Sequence, residues 1–327
     1  MSLSEVRYQD YAVDFLRKAV RDERIAHAYL FLGPKGSGKK KVAYEFVKLI
    51  NCDNRKEDIC SKCPSCIKTN NLSHPDIFFI SKGEEDAQIS VSVIRQVRRF
   101  VSFKPYEAKW KVVIIDDADF LNEESSNALL KILEEPSEYS VFVLMGQRRG
   151  SFSETIISRC QIVKFRPFLR GEVASILIDK FEVDKEEANF LSFVSNGDLK
   201  RSLYLREKQG LCWRDKFISS FAADENNFGC ENDFASLDKD FQTELLNIIQ
   251  GFFRDISIYK VTGDKGLIIN IDKEDQLRDF SNRLSHKIVE EAVTLIEETK
   301  VALLSNANSK ISVRVLIERL MELCNSR

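Results

Sequence analysis

The first half of the chain alternates short apolar runs with stretches in which apolar residues recur at helical spacing. The apolar runs are rich in β-branched and aromatic side chains and predict buried strands. They are Ala28–Leu32, Asp76–Ile80, Lys111–Ile115 and Val141–Leu144. The amphipathic stretches predict helices at Tyr11–Val20, Val42–Leu49 and Ser125–Glu135. Strands separated by helices predict an α/β fold with a parallel sheet and helical crossovers.

The strand pattern ends near Phe168, and helical spacing continues to the end of the chain. The predicted helices are Gly171–Phe181, Lys185–Phe193, Asp198–Leu205, Phe241–Tyr259, Lys273–Arg283, Lys287–Ser305 and Ser312–Cys324. We therefore predict three domains. They are an α/β domain over residues 1–167, a small helical domain over 168–209 and an all-helical domain over 210–327.

Composition narrows the class of protein without assigning a function. The chain has 327 residues, which suits two or three domains. Lys and Arg number 49 against 51 Asp and Glu, and the net charge of -2 excludes a protein that binds nucleic acid over its whole surface. No apolar run approaches the ~20 residues of a membrane helix, and the first residues lack the apolar core of a signal peptide. We expect a globular cytoplasmic protein without a membrane segment.

A glycine-rich loop follows the first predicted strand. Its sequence, Gly33-Pro-Lys-Gly-Ser-Gly-Lys39-Lys40, matches the phosphate-loop pattern G-x-x-x-x-G-K and then departs from it, because Lys40 stands where Ser or Thr is expected. Gly33, Gly36 and Gly38 would let backbone N–H groups turn toward phosphate oxygens, and Lys39 would reach the β- and γ-phosphates. The alternative is a tight glycine turn without a ligand, but the strand–loop–helix order favours a phosphate loop.

Two departures argue against magnesium-dependent hydrolysis of ATP at this loop. The hydroxyl that Lys40 replaces would complete the Mg²⁺ shell, and an ammonium group would repel the ion instead. The third predicted strand ends at Asp116, the position of the metal-linked carboxylate, and Asp117 follows where hydrolysing phosphate-loop proteins usually carry Glu. The alternative for both acids is a solvated strand end. We predict a degenerate nucleotide site, at which ATP with Mg²⁺ is a disfavoured ligand.

Four of the eight cysteines lie close together, at Cys52, Cys60, Cys63 and Cys66. In a reducing compartment such a cluster favours a metal over disulfides. Short C-x-x-C loops bring thiolates onto one ion, and four protein ligands leave no open position for water. We predict a structural Zn²⁺ module over residues 52–66. An iron–sulfur cluster and a redox dithiol are the alternatives.

These motifs in combination resemble the bacterial clamp-loader subunits of DNA polymerase III, which are AAA+ ATPases. The matching segments are His27–Gly33, the four cysteines, His74–Asp76, Asp116–Asn122, Asn127–Pro136 and Ser158-Arg159-Cys160. The resemblance implies that a helical lid (168–209) and a helical collar for oligomerisation (210–327) follow the α/β domain. Gamma/tau motor subunits keep Thr after the loop lysine and an Asp-Glu pair. Lys40 and Asp117 depart from that pattern and are similar to the delta-prime type.

The resemblance also implies roles for single residues and for partners. Arg159 would act in trans, as an arginine finger that projects toward ATP bound by a neighbouring subunit. The alternative is that Arg159 only pairs with a nearby acid. Lys200 stands where a sensing Arg is typical and would contact phosphate if nucleotide binds. The implied partners are the delta and gamma/tau subunits and, through the complex, the sliding clamp and primed DNA.

Three points stay open at this stage. A basic stripe would either contact DNA phosphates or form a solvated face; it consists of Arg95, Arg98, Arg99 and Lys104. The chain could be a gamma/tau-type subunit that hydrolyses ATP despite Lys40. It could also be a zinc-stapled nucleic-acid-binding module without a motor partner.

Overall fold

The chain divides after Phe168. The computed structural model describes residues 7–54, 59–83, 88–222, 234, 236–305 and 307–325. Its internal contacts separate a first unit, Met1–Phe168, from a second unit, Leu169–Arg327. The further division of the second unit into a small helical domain and a larger one stays a prediction.

The first unit is built on a parallel five-stranded sheet with the strand order β2-β3-β4-β1-β5. The strands are β1 (Ala28–Leu32), β2 (Ile77–Ile80), β3 (Lys111–Ile115), β4 (Ser140–Gly146) and β5 (Gln161–Lys164). Every residue of β1, β3 and β4 is buried, because helices cover both faces of the sheet. The carboxyl ends of β1 and β3 carry the phosphate loop and Asp116, and β4 lies between these two strands.

Alternate residues of the strands enter two separate apolar cores. Tyr29 and Phe31 of β1 pack with the helices that precede and follow this strand. Leu30 points to the other face, where it packs with residues from the helices on either side of β3. The helices of this unit are α1 (Asp10–Arg21), α2 (Lys39–Asn51), α3 (Pro64–Asn70), α4 (Val91–Val101), α5 (Glu123–Glu134) and α6 (Glu154–Ile157).

The described part of the second unit consists of helices and connecting turns. Its helices are α7 (Arg170–Phe181), α8 (Lys185–Val194), α9 (Leu199–Glu207), α10 (Gly210–Ala222), α11 (Lys239–Thr262), α12 (Glu274–Arg283), α13 (His286–Leu304) and α14 (Ser309–Asn325). Asp255 of α11 is fully buried and accepts the N–H groups of Ile269 (2.9 Å) and Asn270 (2.8 Å), which fixes the segment between α11 and α12. None of the described helices is long and apolar enough to cross a membrane.

The structure confirms the predicted parallel sheet and the helical C-terminal part. All four predicted strands form, within two residues of the expected ends. Five of the described strands and α-helices were not predicted: the edge strand β5, the short helix α3 among the cysteines, and the helices α4, α6 and α10.

A buried carboxylate fixes the connection between α4 and β3. Asp76 lies just before β2, is fully buried, and accepts the N–H groups of Tyr106 (2.7 Å), Glu107 (2.8 Å) and Ala108 (3.0 Å). Lys111 Nζ lies 3.8 Å from Asp76 Oδ1. Burial alone would raise the pKa of Asp76, but the three amide donors and Lys111 outweigh it and hold this pKa below its ordinary value.

We expect Asp76→Ala to lower the free energy of unfolding of the first unit by about 3–5 kcal/mol, because three amides and Lys111 lose their acceptor. Since the folded-state pKa lies below the ordinary value of about 3.9, this stabilisation is present above that pH and lost as the pH falls through the folded pKa. Urea unfolding between pH 3 and 7 measures both effects. The Asp76→Asn variant should lack the acid-sensitive component, and a cost below about 1 kcal/mol for Asp76→Ala would contradict the assignment.

Candidate functional sites

The phosphate loop connects β1 to α2 and requires glycine at two points for different reasons. Gly38, the residue before α2, has φ 85° in the left-handed region that side chains rarely adopt. At Gly33, a Cβ atom would lie 2.5 Å from the carbonyl oxygen of Phe165, so the loop can pass this backbone only without a side chain. The predicted order of strand, loop and helix is therefore present.

Two lysines of this loop point to groups of the protein itself. Lys39 Nζ donates to the carbonyl oxygens of Gly33 (2.5 Å) and Pro34 (2.7 Å). Lys40 Nζ lies 3.3 Å from Asp116 Oδ2 and 4.6 Å from the centre of the Phe79 ring. The Lys40 ammonium group thus lies where it neutralises the carboxylate that would face a metal ion.

The acids after β3 are also engaged by the protein. Asp117 N–H donates to Asp116 Oδ1 (3.0 Å), so both carboxylate oxygens of Asp116 have a partner. Asp117 itself adopts a left-handed backbone (φ 53°, ψ 39°). A divalent cation at Asp116 would face the Lys40 ammonium group at short range, and position 40 carries no hydroxyl to coordinate the ion. The residues present therefore do not fit the magnesium ion of a hydrolysing site.

Asp119 is a residue of this site that the sequence argument did not single out. Its carboxylate accepts the N–H group of Gln147, with distances of 3.1 Å and 2.8 Å to the two oxygens, and so joins the segment after β3 to the end of β4. A Cβ on Gly146 would lie 2.9 Å from Asp119 Oδ1 and 2.4 Å from the Phe152 ring. The Asp119 side chain thus fixes the backbone that follows β4.

The structure brings the four predicted cysteines together. The Sγ atoms of Cys52, Cys60, Cys63 and Cys66 all lie within 4.8 Å of one another. Backbone N–H groups donate to the sulfurs of Cys52 (3.5 Å), Cys60 (3.3 Å) and Cys63 (3.5 Å). Residues 55–58 of the predicted module lie outside the described residues. A tetrahedral Zn²⁺ with Zn–S of about 2.3 Å would separate its sulfurs by about 3.8 Å, so this cluster can hold a metal ion.

The surroundings of the thiols differ. Burial raises the pKa of Cys52 and of Cys66, whereas the N–H groups of Lys62 and Cys63 lower the pKa of Cys60 to about 6. A metal ion held here would bind the sulfurs as thiolates, so its binding would release the protons that the buried thiols retain.

Arg159 follows α6 and is 34% exposed. Its Nη2 lies 2.9 Å from Glu134 Oε1 at the end of α5, and its Nη1 donates to the carbonyl oxygen of Thr155 (3.0 Å). The ion pair that the sequence argument named as an alternative is therefore present. Cys160 packs against the sheet, and burial raises its pKa to about 12, so this thiol is a packing group rather than a nucleophile.

The remaining predicted residues lie at separate places. Lys200 is an exposed residue of α9 in the second unit, and Arg201 beside it binds Glu244 of α11 at 2.6 Å. In the first unit, Arg95 and Arg98 of α4 line a cleft of about 460 Å³ that α5 closes with Lys131, Asn127 and Glu124. Part of the predicted basic stripe thus lines a cleft, whose walls carry both basic and acidic side chains.

Comparisons with known proteins relate this chain to subunits of DNA polymerase III. A family model described as "DNA polymerase III, delta subunit" matches residues 8–169. The delta-prime subunit of Bacillus subtilis DNA polymerase III is 25% identical over 321 residues, which cover 96% of this chain and 96% of that protein. The tau subunit of the same organism is 25% identical over 320 residues, which cover 89% of this chain and 56% of the relative. This chain thus spans about half the length of tau.

One solved structure shares the fold along the whole chain. It is a DNA polymerase III gamma subunit-related protein from Thermotoga maritima, with a TM-score of 0.50 and 18% identity. The alignment covers 97% of this chain and 100% of that one. At this identity the likeness shows the fold alone.

The parallel sheet and its phosphate loop define a protein of the AAA+ type. Within that class, the family match and the similarity to delta-prime and tau subunits make the chain a clamp-loader subunit. The delta-prime-like interpretation is the best supported, because the delta-prime relative matches along its whole length whereas tau extends far beyond the match.

Proposed function

We propose that the chain is a stator of the clamp loader. It would assemble with delta and gamma/tau subunits and help to load the sliding clamp onto primed DNA in the cytoplasm, without hydrolysing ATP itself. The relatives that support this proposal are named as delta-prime and tau subunits of DNA polymerase III.

One observation carries the proposal: the Lys40 ammonium group lies 3.3 Å from the Asp116 carboxylate. In a motor subunit this carboxylate serves the magnesium ion that neutralises charge on the transferring phosphoryl group. Here the protein supplies its own cation, which cannot coordinate phosphate oxygens and water as a metal does. A chain with this pair is suited to hold a fixed position in a complex while neighbouring subunits hydrolyse ATP.

The remaining predicted parts have supporting roles in this proposal. The cysteine cluster would hold a structural Zn²⁺ that closes the insertion between α2 and β2. The helices over 168–209 would form the lid, and those over 210–327 the collar through which subunits assemble. Arg159 would reach the ATP site of the adjacent subunit, because its side chain is partly exposed beside α6.

The second candidate function is a gamma/tau-type motor, which the similarity to tau favours. ATP hydrolysis and nucleotide binding by the isolated chain distinguish these two functions. We expect no magnesium-dependent ATP turnover above background, and we expect Mg²⁺ to leave nucleotide affinity unchanged. In Lys40→Thr, the hydroxyl and the uncovered Asp116 should make Mg²⁺ strengthen nucleotide binding by about tenfold or more. The reason is that the change removes a repulsion between an ammonium group and a divalent ion, worth up to ~8 kcal/mol at 4 Å near a surface before solvent screening.

Lys41→Thr is the matched control for that experiment, since Lys41 is the next lysine and pairs with Glu45 (3.2 Å) rather than with Asp116. It should behave as the unaltered chain does. Robust turnover by the unaltered chain that Lys39→Ala abolishes would contradict the stator and favour the motor. Failure to assemble with gamma/tau and delta subunits would instead favour a separate nucleic-acid-binding module.

A further inference from the structure

Arg159 has a defined orientation before any neighbour is present. Its guanidinium group lies between two elements: Glu134 ends α5, and Thr155 belongs to α6. Nη2 pairs with Glu134 Oε1 at 2.9 Å, and Nη1 donates to Thr155 O at 3.0 Å and more weakly to Ser158 Oγ at 3.4 Å. The acceptors are thus divided between the two terminal nitrogens, which fixes the plane of the group as well as its position.

This arrangement leaves donors available. A guanidinium group has five N–H donors in a rigid fork, and the contacts above use only part of them. One third of the Arg159 side chain is exposed (34%), so an oxyanion of another subunit can approach it without displacing Glu134. A long side chain that must find its geometry anew in every turnover would lose rotamer freedom each time, and a fixed acceptor avoids that loss.

We infer that Glu134 is a positioning residue for Arg159: its carboxylate aims the guanidinium group at the phosphate of the neighbouring subunit. This inference rests on the proposed trans-acting role of Arg159. Glu134 touches neither nucleotide nor metal and acts only through the arginine. The opposite role, a latch that holds the arginine back, predicts the opposite sign of effect and is an outcome of the same experiment.

The chain offers a matched control in Glu135. It is the adjacent residue, carries the same charge and is exposed, and among the described contacts it makes no ion pair with Arg159. A change in local charge alone would therefore affect Glu134 and Glu135 variants alike. An effect of orientation would be confined to Glu134.

The test uses the complex reconstituted with gamma/tau and delta subunits. It measures single-turnover ATP hydrolysis as a function of ATP concentration, which gives the maximal rate and KM without the repeated turnover of the other sites. We expect Glu134→Ala to lower the turnover that depends on Arg159 by about threefold to tenfold with KM unchanged, because a misaligned group stabilises the transition state less. Glu134→Gln should stay within about twofold, since its amide oxygen still accepts from Nη2. Glu135→Ala should have no effect.

A double variant tests whether Glu134 acts through Arg159. Glu134→Ala combined with Arg159→Ala should be no slower than Arg159→Ala alone. Unchanged turnover in Glu134→Ala, faster turnover, or an equal loss in Glu135→Ala would overturn the inference while leaving the arginine finger in place. An Arg159→Ala complex with normal turnover would overturn the proposed function as well, so the two failures are distinguishable. Equal melting temperatures of the variants confirm that none of the effects reflects misfolding.

Discussion

A complex that contains Arg159→Ala should assemble normally and hydrolyse ATP at the adjacent site on the order of 10³ times more slowly. Arginine fingers supplied in trans contribute about 10³–10⁵ to phosphoryl transfer, because a planar cation stabilises the charge that spreads over the transferring group. Among the described residues, the side chain is bound at the surface of the first unit by Glu134, Thr155 and Ser158. Its removal should therefore cost little stability.

Single-turnover hydrolysis is the suitable measurement, because other sites of the complex keep their own turnover and would mask the loss in steady state. Arg159→Lys keeps the charge without the planar fork and should recover only a small part of the rate. Arg149→Ala is the matched control: this arginine is 58% exposed and pairs with Glu154 of α6. Single-turnover rates that are equal for Arg159→Ala and Arg149→Ala would exclude a finger at this position.

The sequence predicted the central strands well because they are buried on both faces. Burial of every residue in β1, β3 and β4 leaves uninterrupted apolar runs, which are the strongest local signal of a parallel sheet. The edge strand β5 reads Gln-Ile-Val-Lys, with exposed polar residues at both ends, so it lacks that signal. The short helix α3 was hidden by the cysteine pattern, since its seven residues are fixed by the Cys63 cap and the cluster rather than by an apolar stripe.

The candidate site could likewise be predicted from the sequence only in part. Lys40 could be recognised as a departure because the loop pattern is local. That its ammonium group meets Asp116 depends on the order β3-β4-β1, which places the ends of two strands on either side of β4. The contacts of Asp119 with Gln147 and of Glu134 with Arg159 join residues 28 and 25 positions apart, and only the folded sheet brings them together.

Loss of one cysteine ligand should have the largest effect on stability. We expect the unaltered protein to contain one Zn²⁺ per chain and Cys66→Ala to lose it. Structural zinc contributes apparent binding free energies of about 10–16 kcal/mol in small zinc domains, all of it coupled to folding. Here three of the four cysteines also belong to the core beneath the sheet, together with Phe46 and Ile50 of α2. Loosening of the cluster should therefore spread to that core and lower the melting temperature of the first unit by about 10 °C or more.

Chelation distinguishes the contribution of the metal ion to the melting temperature from that of side-chain packing. Removal of Zn²⁺ from the unaltered protein should lower its melting temperature nearly to that of Cys66→Ala, because both then lack the ion and differ only in one buried sulfur atom. Cys212→Ala is the control, since this cysteine is exposed and lies in the second unit outside the cluster. A colourless protein with one zinc and no iron excludes the iron–sulfur alternative. A metal-free protein that melts at the same temperature before and after chelation would show that the four thiols act without an ion.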